Sequence, residues 1–323
     1  MLWLLLPLEW LFIAATAIRR WAFKQRLFKT EHPGVPVVIV GNITAGGSGK
    51  TPAVLAITQA LAQRGLSVAI VSRGYGGKVR GATRVAVDAT AAQVGDEALL
   101  LARESSVPVY IGHKRAEAAK LAANEGAQLV LCDDGLQHYA LSRDVEIVVM
   151  DAKAGFGNGH RLPLGPLRES LPRLGNIDFL LQRNGSDSHS AMSVVPVHLS
   201  HLVSEEQRSL ENPEIGPHIH GVAGIARPER FFASLKALGF TVEEHAFPDH
   251  YAYTSVDFEA LRDKPIVMTA KDAVKCAGFP LENAWVLTIE ATLPDGMIDR
   301  LLKLCGLQSV ATPNCKAPVE EEK

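Results

Sequence analysis

Residues 35–52, VPVVIVGNITAGGSGKTP, decide the fold of this chain. They begin with a run of valine and isoleucine, which is typical of a strand buried on both faces. A glycine-rich loop follows, and residues 52–64 beyond the loop have the pattern of a helix. The stretch therefore predicts a strand, a tight loop and a helix in direct succession.

The loop resembles the phosphate-binding pattern G-x-x-x-x-G-K-[ST]. The eight aligned residues are Thr44, Ala45, Gly46, Gly47, Ser48, Gly49, Lys50 and Thr51. Only the first position departs from the pattern, because Thr44 stands where a glycine is expected. We expect the site to tolerate this change, since the missing glycine is the one farthest from the phosphates. The alternative interpretation is a glycine-rich turn with an incidental lysine.

A loop of this composition suits a triphosphate for physical reasons. Its glycines allow successive backbone N–H groups to point at one anion, and the N-terminus of the following helix adds partial positive charge. Lys50 can reach the β- and γ-phosphates, and the Thr51 hydroxyl can bind Mg²⁺. The loop therefore predicts a binding site for ATP and Mg²⁺.

A second apolar strand, in AQLVLCDDG (residues 127–135), ends in Asp133 and Asp134. Paired aspartates at a strand end commonly form a turn or cap a helix. Downstream of a phosphate-binding loop, however, they have the form of the Walker B carboxylate that holds Mg²⁺. We interpret both as candidate Mg²⁺ ligands beside Thr51, and the sequence does not say which of the two contacts the ion.

Further strands in SVAIVSRGYGG (67–77) and VEIVVMDA (145–152), with a helix over 115–125, extend the same alternation. Strands rich in valine and isoleucine that alternate with helices imply a parallel sheet covered on both faces. The predicted fold class is therefore α/β, a P-loop NTPase-like α/β/α sandwich. A second, smaller α/β domain and an N-terminal membrane-interface helix complete the prediction.

The polar stretch QRNGSDSHS (182–190) and the proline-rich ENPEIGPH (211–218) bracket a predicted strand pair around residues 190–205. A chain of 323 residues fits two domains. We predict an N-terminal membrane-associated helix, a P-loop ATP-binding domain, a two-stranded linker and a smaller α/β domain, over residues 1–30, 31–188, 189–215 and 216–323. The tail, KAPVEEEK, is predicted to be disordered.

The N-terminus reads MLWLLLPLEWLFIAATAI and is followed at once by the basic RRWAFKQRLFK. A secretory signal would place the charge before the apolar run. A span needs about 20 apolar residues, and a carboxylate such as Glu9 near its middle costs about 3 kcal/mol. We predict a helix lying in the membrane interface, and a true span or a buried core helix are the alternatives. The tryptophans and basic residues expected to meet the lipid are Trp3, Trp10, Trp21, Arg19, Arg20, Lys24, Arg26 and Lys29.

Composition limits the remaining possibilities. The net charge of −2 gives no electrostatic argument for nucleic acid, so we predict no nucleic-acid partner. Cys132, Cys276, Cys305 and Cys315 form no C-x-x-C pair, which fits a reducing compartment better than a disulfide framework. We also expect a monomer.

Several classes of P-loop protein compete. A GTPase would carry the motif N-K-x-D, and the nearest segment, TAKD at residues 269–272, lacks the asparagine. A partitioning-type ATPase would place lysine at the second loop position, where Ala45 stands. A membrane-associated ATPase remains an alternative because that class also uses amphipathic helices. A kinase for a membrane acceptor is the third class, and a non-catalytic scaffold that binds nucleotide is the least supported hypothesis.

Seven segments in order carry a resemblance to a known family. They are GNITAGGSGKTP (41–52), SRGYGG (72–77), VGDEALL (94–100), DDGLQH (133–138), LPLGPLRE (162–169), ARPERFF (226–232) and FPDHYAYT (247–254). In these segments the chain resembles the tetraacyldisaccharide 4'-kinases, the lipid A 4'-kinases of Gram-negative bacteria. The resemblance implies ATP-dependent phosphorylation of the 4'-hydroxyl of a lipid A disaccharide 1-phosphate, by a peripheral enzyme on the cytoplasmic face of the inner membrane. It also implies two α/β/α domains joined by a two-stranded linker.

The resemblance implies a catalytic pair. Asp96 would be the general base for the acceptor hydroxyl, and His250 would orient it and share charge as the proton leaves. Taken alone, Asp96 would be read as an N-cap and His250 as a structural histidine. Ala98 departs from the family pattern, where a proline is expected beside the base.

Several other polar residues have two interpretations each. Glu97 and His138 either help to position Mg²⁺ or phosphate or are ordinary polar surface. Arg73, Arg115 and Arg168 are candidates to hold phosphates, since the guanidinium makes bidentate contacts, or they are surface arginines. Lys271 belongs to the family pattern without an assigned role. The RGYGG glycines are expected to approach the backbone near the P-loop.

Overall fold

The computed structural model describes residues 2–308, so the predicted disordered tail and Cys315 lie outside the described residues. The α-helices are α1 (Leu6–Lys24), α2 (Lys50–Ala62), α3 (Ala91–Val94), α4 (Asp96–Glu104), α5 (Arg115–Asn124), α6 (Pro228–Ala237), α7 (Ala270–Cys276) and α8 (Met297–Leu304). Short 3₁₀ helices cover Leu2–Leu5, Leu171–Asn176 and Ser255–Leu261. The strands are β1 (Val37–Gly41), β2 (Val68–Ser72), β3 (Thr83–Arg84), β4 (Val109–Ile111), β5 (Leu129–Asp133), β6 (Val145–Asp151), β7 (Phe179–Arg183), β8 (Ala191–His201), β9 (Gln207–Ser209), β10 (His218–Ala223), β11 (Thr241–Ala246), β12 (Ile266–Thr269) and β13 (Ala284–Thr292).

The strands form one continuous sheet in the order β11-β10-β12-β13-β8-β7-β6-β1-β5-β2-β4-β3, with β9 paired to β8. Most pairs are parallel, and the antiparallel ones are β13 with β8, β8 with β9, and β3 with β4. The predicted α/β fold class is confirmed. The predicted strand pair near residues 190–205 contains β8, whereas its antiparallel partner β9 begins at Gln207, just beyond the predicted range. β8 is the strand that joins the two parallel halves of the sheet.

β1 lies between β5 and β6, and all five of its residues are buried. One face packs against α2 and α4 and the other against α5. This two-sided burial explains why the strand is an unbroken run of aliphatic residues rather than an alternating one.

Parallel pairing brings the two sequence motifs together. Val40 of β1 is in register with Asp133 of β5, so the loop after β1 and the aspartates after β5 leave the sheet at the same edge. In the other half of the sheet, the segments that follow β11 and β12 contribute residues 247–254 and α7. Helix α7 packs against α4, which brings side chains from the two halves face to face.

The predicted N-terminal helix is present as α1. Most of its side chains are exposed, including Trp10 and Trp21, which does not fit the alternative of a buried core helix. Ala22 and Glu9 are buried, and Glu9 accepts a hydrogen bond of 2.6 Å from the backbone N–H of Arg161. His160 Nδ1 lies 3.0 Å from the same carboxylate. Glu9 therefore fastens α1 to the body of the protein.

None of the described helices combines the length and apolar character needed to cross a bilayer. The contact of α1 with a membrane stays a prediction, as do the domain limits at residues 188 and 216. The last helix, α8, returns to the first half of the sheet, where Leu301 and Leu302 join the same apolar core as α2.

Candidate active site

The P-loop connects β1 to α2 as predicted, but α2 begins at Lys50, two residues before the predicted start. Gly46 and Gly49 have φ values of 103° and 93°, a region that favours glycine, and Gly49 is the N-cap of α2. Thr44 forms an antiparallel bridge with Leu167, and the next N–H, that of Ala45, donates to Pro166 O at 2.7 Å. The bridge at Thr44 does not require a glycine, which accounts for the departure from the pattern.

Asn42, which precedes the loop, was not singled out from the sequence. It is fully buried, and its amide group donates to Ser48 Oγ at 3.2 Å and to Gly46 O at 3.4 Å. Its Oδ1 lies 3.5 Å from Lys50 Nζ. Asn42 therefore holds the loop closed across its base and helps to direct Lys50.

Asp133 and Asp134 are adjacent in the chain, but their side chains have different surroundings. Asp133 is 3% exposed, and its Oδ1 has no hydrogen-bond partner among the described residues. Burial is the main cause that raises the pKa of Asp133 to about 7; Lys50 opposes this rise, and the carboxylates of Glu97 and Asp134 contribute to it. An unpartnered buried carboxylate oxygen is costly unless a cation or another ligand completes it.

Asp134 is instead surrounded by cations. Its Oδ1 is 2.5 Å from Lys50 Nζ and 3.2 Å from Arg168 Nη1, and its backbone oxygen accepts from Arg115 Nη2 at 3.0 Å. Burial would raise the pKa of Asp134, but Lys50 and Arg168 outweigh it and hold the pKa below its ordinary value. The φ of Asp134 is 47°, a conformation uncommon outside glycine that turns the chain sharply after Asp133.

Asp96 and His250 are 154 residues apart in the chain and form a direct pair. His250 Nδ1 lies 2.9 Å from Asp96 Oδ2 and 3.1 Å from Oδ1. Asp96 is the first residue of α4 rather than its N-cap, and its Oδ1 also accepts from the N–H of Glu97 at 2.9 Å. Asp96 is buried, and His250 has a φ of 61°, a strained conformation of the kind that concentrates at functional sites.

The SRGYGG segment approaches the backbone just before Asp96 closely. A Cβ on Gly95 of that backbone, which has a φ of 89°, would lie 2.2 Å from Tyr75 O, and a Cβ on Gly77 would lie 2.6 Å from Gln93 O. The predicted close approach exists, but its partner is the segment just before Asp96 and not the P-loop. The Tyr75 ring also lies against His250, with 5.4 Å between the ring centres.

The structure shows contacts of Lys271 that the sequence did not predict. Its Nζ lies 3.2 Å from Glu97 Oε1, 3.2 Å from Asp249 Oδ1 and 3.4 Å from His250 Nε2. Burial lowers the pKa of Lys271, but the surrounding carboxylates of Glu97, Asp96 and Asp249 outweigh it and raise the pKa overall. Lys271 therefore stays a cation beside the pair of Asp96 and His250.

The three arginine candidates have different surroundings. Arg115 and Arg168 converge on Asp134, as described, whereas Arg73 is exposed. Burial, together with Arg115 and Arg143, lowers the pKa of His138 to about 4, so this histidine is neutral and cannot offer a positive charge to phosphate. Ala98 packs in the core without displacing Asp96 from His250.

The chain is similar to known proteins over most of its length. The family model for tetraacyldisaccharide-1-P 4'-kinase matches residues 1–306. A tetraacyldisaccharide 4'-kinase of Methylobacillus flagellatus is 45% identical over 93% of this chain and 90% of its own length. One of Ruthia magnifica is 44% identical over 92% of this chain and 95% of its own length.

A solved structure has a similar fold. The crystal structure of LpxK from Aquifex aeolicus, described as an apo form in complex with ATP, superposes with a TM-score of 0.79 at 28% identity. The match covers 93% of this chain and 96% of that one.

Proposed function

Because the chain belongs to the tetraacyldisaccharide-1-P 4'-kinase family, we propose that it transfers the γ-phosphoryl group of ATP to the 4'-hydroxyl of a tetraacyldisaccharide 1-phosphate. The chain is thus a phosphotransferase of lipid A biosynthesis. The observation that carries the detailed proposal is the pairing of buried Asp96 with His250. Glu97, the neighbour of Asp96, is close enough to Asp133 for its charge to raise the pKa of that carboxyl, which relates the pair to the acidic strand end beside the P-loop. Phosphoryl transfer needs alignment, charge neutralisation and a base for the acceptor, and these groups can supply all three.

Asp96 is proposed as the general base. Lys271 carries only donor hydrogens, so the contact between its Nζ and His250 Nε2 favours the tautomer with a proton on Nδ1. That proton is then donated to Asp96, which fixes the orientation of the carboxylate. The Asp96 carboxylate can accept the proton of the acceptor hydroxyl as the oxygen attacks phosphorus, and His250 shares the resulting charge.

The residues around Asp133 fit Mg²⁺, an ion that prefers oxygen ligands. Asp133 offers a buried carboxylate oxygen without a partner, and Thr51 offers a hydroxyl at the second residue of α2. We propose that these two hold the ion directly and that Asp134, occupied by Lys50 and Arg168, supports them. Bound Mg²⁺ would neutralise charge on the β- and γ-phosphates.

The test of the proposed reaction is incubation with ATP, Mg²⁺ and purified lipid A disaccharide 1-phosphate. Mass analysis should show one added phosphate on the distal sugar, and ADP release should depend on the lipid. The alternative, a membrane-associated P-loop ATPase, requires ADP release without the disaccharide. Lipid-independent hydrolysis with no phosphorylated product would contradict the kinase proposal.

A groove beside α1 suits the lipid acceptor. It has a volume of about 590 Å³ and lies between α1 and the segments that follow β5 and β6. Its lining combines apolar and basic side chains, among them Ile13, Trp21, Tyr139, Arg20, Arg143 and Arg161. Apolar side chains suit acyl chains and guanidinium groups suit the 1-phosphate, so we propose that the acceptor lies along this groove.

We propose that α1 places the protein on the cytoplasmic face of the inner membrane as a peripheral protein. Glu9 binds α1 to the body on one side, and large apolar side chains point outward on the other, including Leu8, Trp10 and Leu11. Confining enzyme and lipid acceptor to one surface raises their encounter frequency without new contacts at the site. A monomer remains our expectation, as does the absence of a nucleic-acid partner.

Replacing both Trp10 and Leu11 by glutamate should weaken binding to anionic phospholipid vesicles at least about tenfold. Each change removes a side chain whose burial contributes on the order of 1.5–3 kcal/mol, and it adds a carboxylate on the lipid side. Vesicle sedimentation measures the bound fraction. Val87→Glu is the matched control, because Val87 is 100% exposed and lies outside α1. Equal partition of the double variant and the control would refute the proposed anchor.

A further inference from the structure

A second cluster of chemically competent side chains lies far along the sheet from the P-loop, on β10 and β11. β11 is the outermost strand of this half of the sheet. His220 of β10 is in register with Glu243 of β11, and His245 follows two residues later on the same face of β11. One ligand atom from each of these three residues lies within 4.8 Å of the others. The kinase site uses none of them.

The hydrogen bonds of His220 fix where its protons lie. Its Nε2 is 2.7 Å from Asp263 Oδ1, and because a carboxylate only accepts, Nε2 carries the proton. Its Nδ1 therefore accepts a hydrogen bond from His245 Nε2–H, 3.0 Å away, and a metal ion would take the place of that proton. A histidine that donates one N–H to a carboxylate and presents its other nitrogen is the usual arrangement of a metal-ligating histidine.

The separations among the three donors suit a tetrahedral ion. Ligand bonds of about 2.0–2.1 Å at tetrahedral angles place neighbouring donor atoms roughly 3.3 Å apart. The observed separations are 3.0 Å between the two histidine nitrogens, 3.6 Å from His220 Nδ1 to Glu243 Oε2, and 3.9 Å from His245 Nε2 to Glu243 Oε1. The two Glu243 distances use different carboxylate oxygens, and side-chain rotations would bring one donor atom of each residue to a single ion, since such a set already lies within 4.8 Å.

Charge and access favour a cation as well. Glu243 and Asp263 are two carboxylates, and Lys264 is the cation that pairs with both, at 2.8 Å and 3.4 Å. The side chain of His220 is 3% exposed and that of Glu243 is 55% exposed, so the cluster has a buried base and an open mouth.

We propose that His220, Glu243 and His245 form a binding site for one divalent transition metal ion, with Zn²⁺ as the best match to two imidazoles and one carboxylate. Asp263 orients His220 from behind, and Lys264 competes with the ion for Glu243. The ion would join the edge strand β11 to β10. β11 leads directly into the segment that carries His250, so the ion would also stiffen the support of that segment without touching the reacting groups.

The experiment is Zn²⁺ binding by the chelator-treated full-length protein, without nucleotide and with excess Mg²⁺ to occupy hard oxygen sites. Competition with a chromogenic Zn²⁺ indicator should show one site. Asp263→Asn should weaken the affinity about 10–100-fold, and His245→Gln and Glu243→Gln should weaken it at least as much. Lys264→Ala should instead tighten binding, an effect that misfolding cannot produce.

His113→Gln is the control, since His113 is an exposed histidine on another part of the surface. Replacing Zn²⁺ by Co²⁺ should give the visible absorption of a tetrahedral ion in the wild type and lose it in His245→Gln. Absence of stoichiometric Zn²⁺ binding by the wild type would overturn the proposal. So would equal affinity of the wild type, His245→Gln and Glu243→Gln, because the ion would then be held elsewhere.

Discussion

Replacing Asp96 by asparagine is expected to slow phosphoryl transfer by at least about 100-fold, the lower end of what a general base contributes. Asparagine keeps the shape of the side chain and an oxygen for the N–H of Glu97, but it cannot accept the proton of the acceptor hydroxyl. In addition, the NH₂ group of the asparagine is a donor that would face another donor, the Nδ1–H of His250, which lies 2.9 Å from the carboxylate in the wild type. Turnover at saturating ATP and lipid measures the loss.

ATP affinity should be unchanged in Asp96→Asn, because Asp96 lies outside the P-loop. His250→Ala should cause a smaller loss, and the double variant should be little worse than Asp96→Asn alone, since residues that act as a unit give non-additive effects. Asp299→Asn is a suitable control, as Asp299 is an exposed residue of α8 paired only with Arg64. Turnover of Asp96→Asn near the wild-type rate would show that another group accepts the proton.

The fold could be predicted closely because its signals are local. The aliphatic runs of β1, β5 and β6 are buried on both faces, and a strand buried this way needs no partner information to be recognised. The start of α2 was placed two residues late, since the left-handed Gly49 allows the helix to begin at Lys50 itself. The β8 strand was located approximately. Its pairing with β7 is local, but its pairing with β13 joins residues 84 to 99 positions apart, such as His201 with Trp285 and Ser193 with Thr292.

In the site as well, local motifs could be predicted from the sequence and long-range contacts could not. The P-loop residues and the two aspartates are neighbours through one strand pairing, so their motifs sufficed. The pair of Asp96 and His250 came only from the family resemblance, because no local pattern links residues 154 positions apart. Asn42 was missed although it adjoins the loop, since its role depends on burial against Ser48.

Glu9 shows how a sequence alone can suggest the wrong surroundings for a side chain. In a lipid environment its carboxylate is a cost, and that cost argued against a membrane span. In the folded chain the same carboxylate is buried against Arg161 and His160, where it holds α1 in place. Sequence spacing cannot reveal such a contact, because its partners lie about 150 residues further along the chain.

Replacing Lys50 by methionine is expected to lower kcat about 100–1000-fold, the range seen when one preorganised electrostatic donor is removed from a reacting centre. Lys50 is the P-loop cation, held between Asn42 Oδ1 at 3.5 Å and Asp134 Oδ1 at 2.5 Å, and a phosphate oxygen would compete with Asp134 for it. The positive charge of Lys50 matters most in the transition state, while the γ-phosphoryl group is being transferred. We therefore expect kcat and kcat/KM to fall by similar factors. Steady-state kinetics with ATP as the varied substrate measures both.

The fold should survive this change, because Arg168 still pairs with Asp134 at 3.2 Å and Asn42 still closes the loop on Ser48. Lys78→Met is the matched control, since Lys78 is an exposed lysine of the SRGYGG loop region. A variant that raises KM for ATP while leaving kcat intact would contradict the assignment, because Lys50 would then only bind the nucleotide. Loss of kcat in Lys50→Met, combined with the intact ATP affinity of Asp96→Asn, would separate stabilisation of the transferred group from activation of the acceptor.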